Sequence, residues 1–157
     1  MNQNNKENWE RNVGRFILET GAIELNLLQL YWNISLDGSY DVAIKEESLP
    51  RKIRRVRKKV NVSDICLDLK KEVLDVLKRC SDLVHIRNLV AHNPLKMDFF
   101  LDDAGMPQYE PIIRSLRNGE IHLKEEDLNK AISAAQNIVA RMSDIIPDDR
   151  LWSWREA

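Results

Sequence analysis

Apolar residues near the start of the chain recur at alternating spacings of three and four positions, which is the repeat of one face of an α-helix. Thr20 fills the gap in this stripe, and Asp37-Gly38-Ser39 ends it and indicates a loop that reaches about Ser48. The spacing therefore predicts a long first helix from Trp9 to Ile34. Its stripe consists of Val13, Phe16, Ile23, Leu27, Leu30 and Ile34.

A second, shorter pattern follows Pro50, a residue type that suits the first turn of a helix. Ile53, Val56 and Val60 form a narrow apolar stripe, and basic residues occupy most of the positions between them. This pattern predicts a short amphipathic helix with a basic outer face. Its seven basic residues are Arg51, Lys52, Arg54, Arg55, Arg57, Lys58 and Lys59.

The third stripe predicts a helix from about Ser63 to Ala91, and it contains one charged residue. Arg87 occupies a position at which the repeat calls for an apolar side chain. Pro94 disfavours the α conformation at Asn93, so this helix must end close to His92. The apolar members of the stripe are Leu69, Val73, Val76, Cys80, Leu83 and Val90.

Short apolar runs alternate with turn signals between residues 97 and 123. Asp102-Asp103-Ala104-Gly105 and Asn118-Gly119 separate these runs, and Asn-Gly between apolar runs is a strong hairpin signal. We therefore expect a small antiparallel β insertion of two or three strands. The apolar runs are Met97 to Leu101, Pro111 to Leu116 and Ile121 to Leu123.

A fourth helical stripe begins after Glu125, Glu126 and Asp127, whose charges suit the positive end of the helix dipole, and Pro147 ends it. The four stripes together predict a mainly all-α fold. We expect an up-and-down four-helix bundle with a small β-hairpin insertion between the third and fourth helices. The fourth stripe consists of Leu128, Ala131, Ala135, Ile138, Met142 and Ile145.

These elements fit a single domain of 157 residues. The helical core covers about 9–96 and 124–146, and the β insertion covers about 97–123. The tail, residues 147–157, carries Trp152 and Trp154, which alternate as they would in an extended segment. We expect these two side chains to dock on this chain or on a second copy.

The basic residues of the chain are concentrated rather than spread. The whole chain has 24 basic and 25 acidic residues, a formal net charge of −1, which excludes a globally basic nucleic-acid binder. Outside residues 51–59 there remain 17 basic residues against 25 acidic ones, a net charge of −8. This asymmetry favours a polyanion such as nucleic acid as the partner of residues 51–59. A solvated face and a surface for an acidic protein are the alternatives.

Several classes of site are disfavoured by composition. No apolar run approaches the ~20 residues of a membrane span, and the polar start lacks a signal segment, so we expect a soluble, cytoplasmic protein without a membrane partner. Cys66 and Cys80 would lie ~21 Å apart along the third helix, too far for a disulfide, and are expected to be reduced core residues. No metal site or cofactor is expected, because no two histidines are four residues apart and two cysteines make no zinc ligand set.

The candidate chemistry lies at the end of the third helix, in Arg87-Asn88-Leu89-Val90-Ala91-His92. An arginine can hold a phosphate and a histidine can exchange a proton near neutral pH, which are two requirements of phosphodiester cleavage. The spacing alone is weak evidence, but only Arg87 interrupts an apolar stripe and only His92 precedes a helix-ending proline. Two other pairs satisfy a similar rule: Arg79 with His85, and Arg117 with His122.

This stretch resembles the signature of the HEPN superfamily, in which an arginine is followed after four to six residues by a histidine, often with a polar residue next to the arginine. Asn88 is that polar residue here. The layout of four helices with the motif at the end of the third also resembles the family. The resemblance implies a metal-independent endoribonuclease that acts on RNA, of the kind connected with toxin–antitoxin pairs or phage defence. It also implies a homodimer in which two copies bring their arginines and histidines together.

Carried onto this chain, the resemblance implies that His92 handles the proton of the ribose 2′-hydroxyl or of the leaving oxygen, that Arg87 holds the scissile phosphate, and that Asn88 orients one of them. In a straight helix Arg87 and His92 lie ~140° apart, so the last residues would have to unwind for the two to meet. His85 lies seven residues before His92, near the same face. It is either an additional phosphate contact or a solvated side chain.

Structural roles for the motif are the alternative. Arg87 could instead pair with Glu24 or Asp75, and His92 could cap the last carbonyls of its helix. HEPN-like domains without nuclease activity also exist within the resemblance. The second hypothesis is therefore a non-catalytic helical module that dimerises, or that binds a protein or nucleic acid through residues 51–59. An active toxin would in addition have an antitoxin or another inhibitor protein as its partner.

Overall fold

The computed structural model describes residues 3–35 and 41–147. It confirms the predicted fold class, which is mainly helical with four helices and a three-stranded antiparallel sheet between the third and the fourth. A short 3₁₀ helix, Val42–Glu46, precedes the second helix. The other elements are α1 (Gln3–Ile34), α2 (Leu49–Val62), α3 (Leu67–His92), β1 (Leu95–Leu101), β2 (Pro107–Arg114), β3 (His122–Leu123) and α4 (Glu125–Ile145).

The chain divides into two compact units, one of residues 1–18 and 85–134 and the other of residues 19–84 and 135–157. Each has its own buried apolar residues. Those of the first unit include Trp9, Phe16, Leu89, Val90, Ile112, Ile113, Leu123 and Leu128. Those of the second include Ile23, Leu27, Leu30, Ile44, Ile53, Val56, Leu69, Val73 and Met142. Within residues 3–35 and 41–147, every helix is too short or too polar to cross a bilayer.

Helix α1 begins earlier than its apolar stripe, at Gln3 rather than Trp9. The residues before Trp9 are polar and therefore show no apolar periodicity, although an ion pair one turn apart, Lys6 Nζ to Glu10 Oε1 at 3.6 Å, is a type of contact that supports a helix. The predicted stripe is buried from Phe16 to Ile34, including Thr20 at its gap. Periodicity thus locates the core of this helix but not its first turn.

Helix α3 begins at Leu67, four residues after the predicted start. The reason is local: the backbone N–H and the hydroxyl of Ser63 both donate to the carbonyl of Val60, which ends α2. Cys66 therefore precedes α3 and is exposed, so the prediction that it is a core residue is wrong. Cys80 is buried as predicted, and burial raises the pKa of its thiol to about 12.

The β insertion is a three-stranded antiparallel sheet in the order β1-β2-β3. The predicted turn between β1 and β2 is formed by Asp102, whose side chain accepts hydrogen bonds from the N–H groups of Ala104 and Met106, and by Gly105 at φ +75°. A left-handed conformation of that kind favours glycine. The Asn118-Gly119 segment likewise connects β2 to β3, as predicted, and Ile121 N–H donates to the carbonyl of Asn118.

Helix α4 matches its prediction, since it runs from Glu125 to Ile145 with its apolar stripe buried. Three acidic residues occupy its first turn. The tail that follows Pro147, with Trp152 and Trp154, lies outside the described residues.

Candidate active site

The last turns of α3 remain helical as far as His92, and the N–H of Asn93 still donates to the carbonyl of Leu89. The unwinding that would let His92 reach Arg87 does not occur. In a regular helix these two residues lie ~140° apart, so one chain does not bring them together. Arg87 is half-buried, which fits its place on the apolar stripe.

The end of α3 instead groups a different set of side chains. His85, Asn88 and His92 lie within about 60° of one another around the helix axis, and all three are exposed. They line a groove of about 630 Å³, which we call the α3 groove. Arg87 does not line it. The other residues of its lining are Leu89, Asn93, Ser115, Leu116 and Arg117.

Asn93 holds the second wall of the α3 groove in place. Its amide nitrogen donates to the carbonyl of Leu89 at 3.0 Å, and its amide oxygen accepts from the N–H of Leu116 at 2.8 Å. One side chain thus connects the end of α3 to the segment that follows β2. Asn93 therefore both follows the end of α3 and positions the segment after β2.

The segment after β2 is held by further hydrogen bonds. The hydroxyl oxygen of Ser115 accepts from the N–H groups of Arg117 at 3.3 Å and Asn118 at 3.2 Å, and the N–H of Ser115 donates to the carbonyl of Ile121 at 2.8 Å. Because its backbone is tied in this way, Arg117 occupies a defined place on the groove wall. The α3 groove consequently contains two imidazoles, two amides, a hydroxyl and a guanidinium.

The chemistry of this lining suits an anion. Of the described residues that line the groove, none is an aspartate or glutamate, while a guanidinium and two imidazoles can all donate hydrogen bonds to phosphate oxygens. Histidine is also the side-chain type that most often acts as a general acid or base. Among residues 3–35 and 41–147, no group of three or more histidine, cysteine, aspartate or glutamate side chains is placed to hold a metal ion.

The basic helix α2 differs from its prediction at Lys52. Its side chain is only 7% exposed, and its Nζ lies 2.6 Å from Oε2 of Glu24. On a helix, residue 52 shares a face with Leu49 and Val56, both of which are buried, so Lys52 belongs to the buried edge of α2. The expectation that Lys52 lies on the basic outer face of α2 is therefore wrong, whereas its contact with nucleic acid stays a prediction.

Two further cations of α2 are engaged with neighbouring side chains. Arg55 pairs with Asp41 and, through Nε at 3.0 Å, with Glu47, and its hydrogen bond to Asp41 lowers the pKa of that carboxyl group. Lys59 is half-buried, with its Nζ 5.8 Å from the centre of the Tyr31 ring. The two carboxylates offset the charge that Arg55 presents to a partner, and Lys59 is only partly accessible.

Four of the seven cations of α2 remain exposed and lie within about 120° around its axis. We call this set the basic face: Arg51, Arg54, Arg57 and Lys58. It is the part of the predicted nucleic-acid surface that the structure leaves accessible.

The sequence does not single out Arg117, which lines the α3 groove. In the sequence Arg117 is paired only with His122, across a turn, and this spacing gives no reason to choose Arg117 as a site residue. In the structure the hydrogen bond from Leu116 to Asn93 brings the segment that contains Arg117 close to the end of α3, where His92 lies. No spacing rule could have found this, because 25 positions separate Arg117 from His92. The one local signal is Asn93, an amide that is able both to donate and to accept just after a helix end.

Comparisons of the chain with protein-family models, with curated proteins and with solved structures find no match. The resemblance to the HEPN superfamily therefore rests on Arg87, Asn88 and His92 and on the helical layout, and it stays a prediction. The α3 groove and the basic face are the two features from which a function can be argued.

Proposed function

We propose that this chain is a metal-independent endoribonuclease of the HEPN type and that it cleaves RNA in the α3 groove. The observation that carries the proposal is that His92, Asn88 and His85 line one groove, and that no described residue of its lining is a carboxylate. The proposal assigns His92 and Asn88 the roles that the resemblance implies. It makes RNA the substrate, a second copy the expected partner, and an antitoxin or another inhibitor protein the expected regulator, as in toxin–antitoxin or phage-defence systems.

His92 accepts the proton of a ribose 2′-hydroxyl in the first step. The 2′-oxygen then forms a bond to the adjacent phosphorus while the bond from phosphorus to the 5′-oxygen breaks. In this proposal the leaving 5′-oxygen takes a proton from the imidazolium of His85, which lies about 10 Å from His92 along the axis of α3 on nearly the same face. The products are a 2′,3′-cyclic phosphate and a 5′-hydroxyl, with no metal or water consumed in this step.

Asn88 lies between the two histidines along α3, so its amide can donate to a phosphate oxygen or orient an imidazole. Arg87 has a different place, because it is ~140° from His92 on a helix that stays regular. In this proposal Arg87 reaches a phosphate at His92 only from a second copy, which is the arrangement that the HEPN resemblance implies.

Cleavage of RNA by the purified wild-type chain in excess EDTA tests the proposal. We expect full activity, because the groove supplies its proton transfers from imidazoles. A wild-type chain that does not cleave RNA, or one whose cleavage disappears in EDTA and returns with Mg²⁺, would contradict it.

A second candidate function is favoured by the basic face. Arg51, Arg54, Arg57 and Lys58 are exposed on one side of α2, which suits the backbone of a nucleic acid or an acidic protein surface. A non-catalytic binding module would use this face without the α3 groove. The two candidate functions predict different results for His92→Ala: the ribonuclease loses its activity, whereas the binding module keeps its affinity for the partner.

We expect neutralisation of the basic face to reduce the salt dependence of RNA binding. The slope of log K against log salt is negative, and each phosphate of single-stranded RNA that the protein no longer neutralises reduces its magnitude by about 0.7. Arg51→Gln/Arg54→Gln/Arg57→Gln/Lys58→Gln should therefore make the slope less negative by roughly 3. Fluorescence anisotropy at several salt concentrations measures this slope. The matched control neutralises four exposed cations elsewhere: Lys71, Lys78, Arg79 and Lys130. Equal slopes for the two variants would exclude the basic face as the RNA contact.

A further inference from the structure

We infer that Arg117 is the cation that holds the scissile phosphate, so that each chain carries a complete catalytic site. This inference rests on the proposed cleavage of RNA in the α3 groove. It differs from the assignment that the HEPN resemblance makes, in which Arg87 is the phosphate-binding cation and two copies assemble the site.

Among the described residues, Arg117 is the only lysine or arginine on the groove lining. Its backbone is in the segment that Asn93 connects to the end of α3, so its guanidinium and the imidazole of His92 belong to the same groove of the same chain. In this inference a phosphate bound in the groove contacts both groups while α3 stays helical as far as His92. Arg87 would require either an unwound helix end, which is not present, or a second chain.

The neighbouring cations Arg114 and Lys124 are engaged with carboxylates. Arg114 pairs with Asp98 at 2.7 Å, and Lys124 pairs with Glu110 at 2.9 Å. Within residues 3–35 and 41–147, no carboxylate forms an ion pair with Arg117, and its side chain is exposed. Its charge is therefore available to a ligand in the groove.

The guanidinium of Arg117 is chemically suited to bind a phosphate. A guanidinium presents several donors in a plane and can bind two phosphate oxygens at once. Because the backbone around Arg117 is fixed by Ser115 and Asn93, the donors do not have to be ordered from a flexible loop when the transition state forms. Charge that develops on the phosphate oxygens would be stabilised by this guanidinium from within the same groove.

Cleavage kinetics test the inference directly. We expect Arg117→Ala to lower kcat/KM by about 10²–10³-fold, and Arg117→Lys to lower it less, since lysine keeps the charge but loses the planar fork. Lys124→Ala is the matched control, because it removes a nearby exposed cation that does not line the groove, and it should stay within about 2-fold of the wild type. If Arg117→Ala cleaves as fast as Lys124→Ala while the wild type is active, the inference is wrong and the proposed function stands.

Chain mixing tests whether one chain holds the whole site. When His92→Ala and Arg117→Ala chains are co-refolded, we expect no recovery, because each mutant chain lacks one of two groups that act in the same groove. A site shared across a two-fold interface would instead recover roughly a quarter of wild-type activity, since half of the dimers would be mixed and each would have one intact site. Recovery of that size would overturn the inference.

A binding measurement with an RNA that cannot be cleaved shows whether the phosphate contact of Arg117 is wrong or the ribonuclease activity is wrong. An RNA oligonucleotide with 2′-O-methyl groups cannot be cleaved, because its attacking hydroxyl is blocked, but it retains its phosphates. We expect Arg117→Ala to weaken its binding at least ~5-fold relative to Lys124→Ala, as removal of a charge-assisted hydrogen bond to phosphate requires. That result in a chain that does not cleave RNA would support the phosphate contact and reject the ribonuclease. Equal binding by the two variants would reject the contact itself.

Discussion

Replacement of His92 by alanine is expected to reduce the rate of RNA cleavage by about 10²–10⁴-fold, which is the usual contribution of a general acid or base. His92 is exposed at the end of α3 and lines the α3 groove, so its loss removes a proton acceptor without removing core packing. Initial rates on a fluorogenic oligoribonucleotide measure the effect. The midpoint of thermal unfolding should stay unchanged, which distinguishes an effect on chemistry from an effect on folding.

His122 provides an internal control for that experiment, and His85, which lines the α3 groove, provides a second test of the groove. His122 lies at the start of β3, where its Nδ1 is 3.2 Å from the carbonyl oxygen of Glu120, and it does not line the α3 groove. We expect His122→Ala to cleave at the wild-type rate and His85→Ala to fall between the two. Equal rates for His92→Ala and His122→Ala would remove the groove from consideration as the active site.

The largest effect on stability is expected from Glu24→Leu. This change leaves the Lys52 ammonium, whose side chain is only 7% exposed, without the carboxylate that lies 2.6 Å from it. Breaking a buried ion pair from one side costs about 3–5 kcal/mol. Because the Glu24 side chain is 24% exposed, we expect the free energy of unfolding to fall by about 3 kcal/mol, as measured by urea denaturation.

A double variant tests the cause of that destabilisation. Lys52→Met/Glu24→Leu replaces the pair by apolar side chains and should recover most of the stability that Glu24→Leu removes, because no buried charge remains. Glu126→Gln is the control, since Glu126 pairs with Lys130 on the surface and its loss should have little effect. A double variant that is no more stable than Glu24→Leu would show that the ion pair is not what the carboxylate contributes.

Elements whose signal is local were predicted well from the sequence. The stripe from Phe16 to Ile34 repeats for five turns, and its phase alone places these side chains in the core. The turns at Asp102 and Asn118 were found because their residue types suit tight turns. The end of α3 followed from Pro94, whose ring restricts the residue before it.

The predicted locations of Lys52 and Cys66 were wrong because the sequence at each position is compatible with two structural environments. Lys52 is basic and was therefore expected to be exposed, but its helical phase relative to Leu49 and Val56 places its side chain on the buried edge of α2. The sequence predicts a third helix from about Ser63, which would include Cys66, whereas Ser63 ends α2 and α3 starts only at Leu67. The correction at Cys66 depends on an element boundary, which sequence patterns locate only to within a few residues.

The candidate site was predicted only in part. Asn88 and His92 share a groove as the motif suggested, whereas Arg87 does not line it. Arg117 could not be predicted, because its place depends on a hydrogen bond between Asn93 and Leu116, two residues on different segments. A motif read along one helix cannot include a residue that the fold brings from elsewhere in the chain.

A DNA oligonucleotide that contains a single ribonucleotide tests most directly whether the α3 groove activates a ribose 2′-hydroxyl. It is incubated with the wild-type chain in excess EDTA. If the α3 groove activates a 2′-hydroxyl, mass spectrometry should find a single cut, on the 3′ side of the ribonucleotide, with a 2′,3′-cyclic phosphate on one product and a 5′-hydroxyl on the other. Cleavage at deoxyribonucleotides, a 5′-phosphate product, or an intact oligonucleotide would contradict the proposed mechanism.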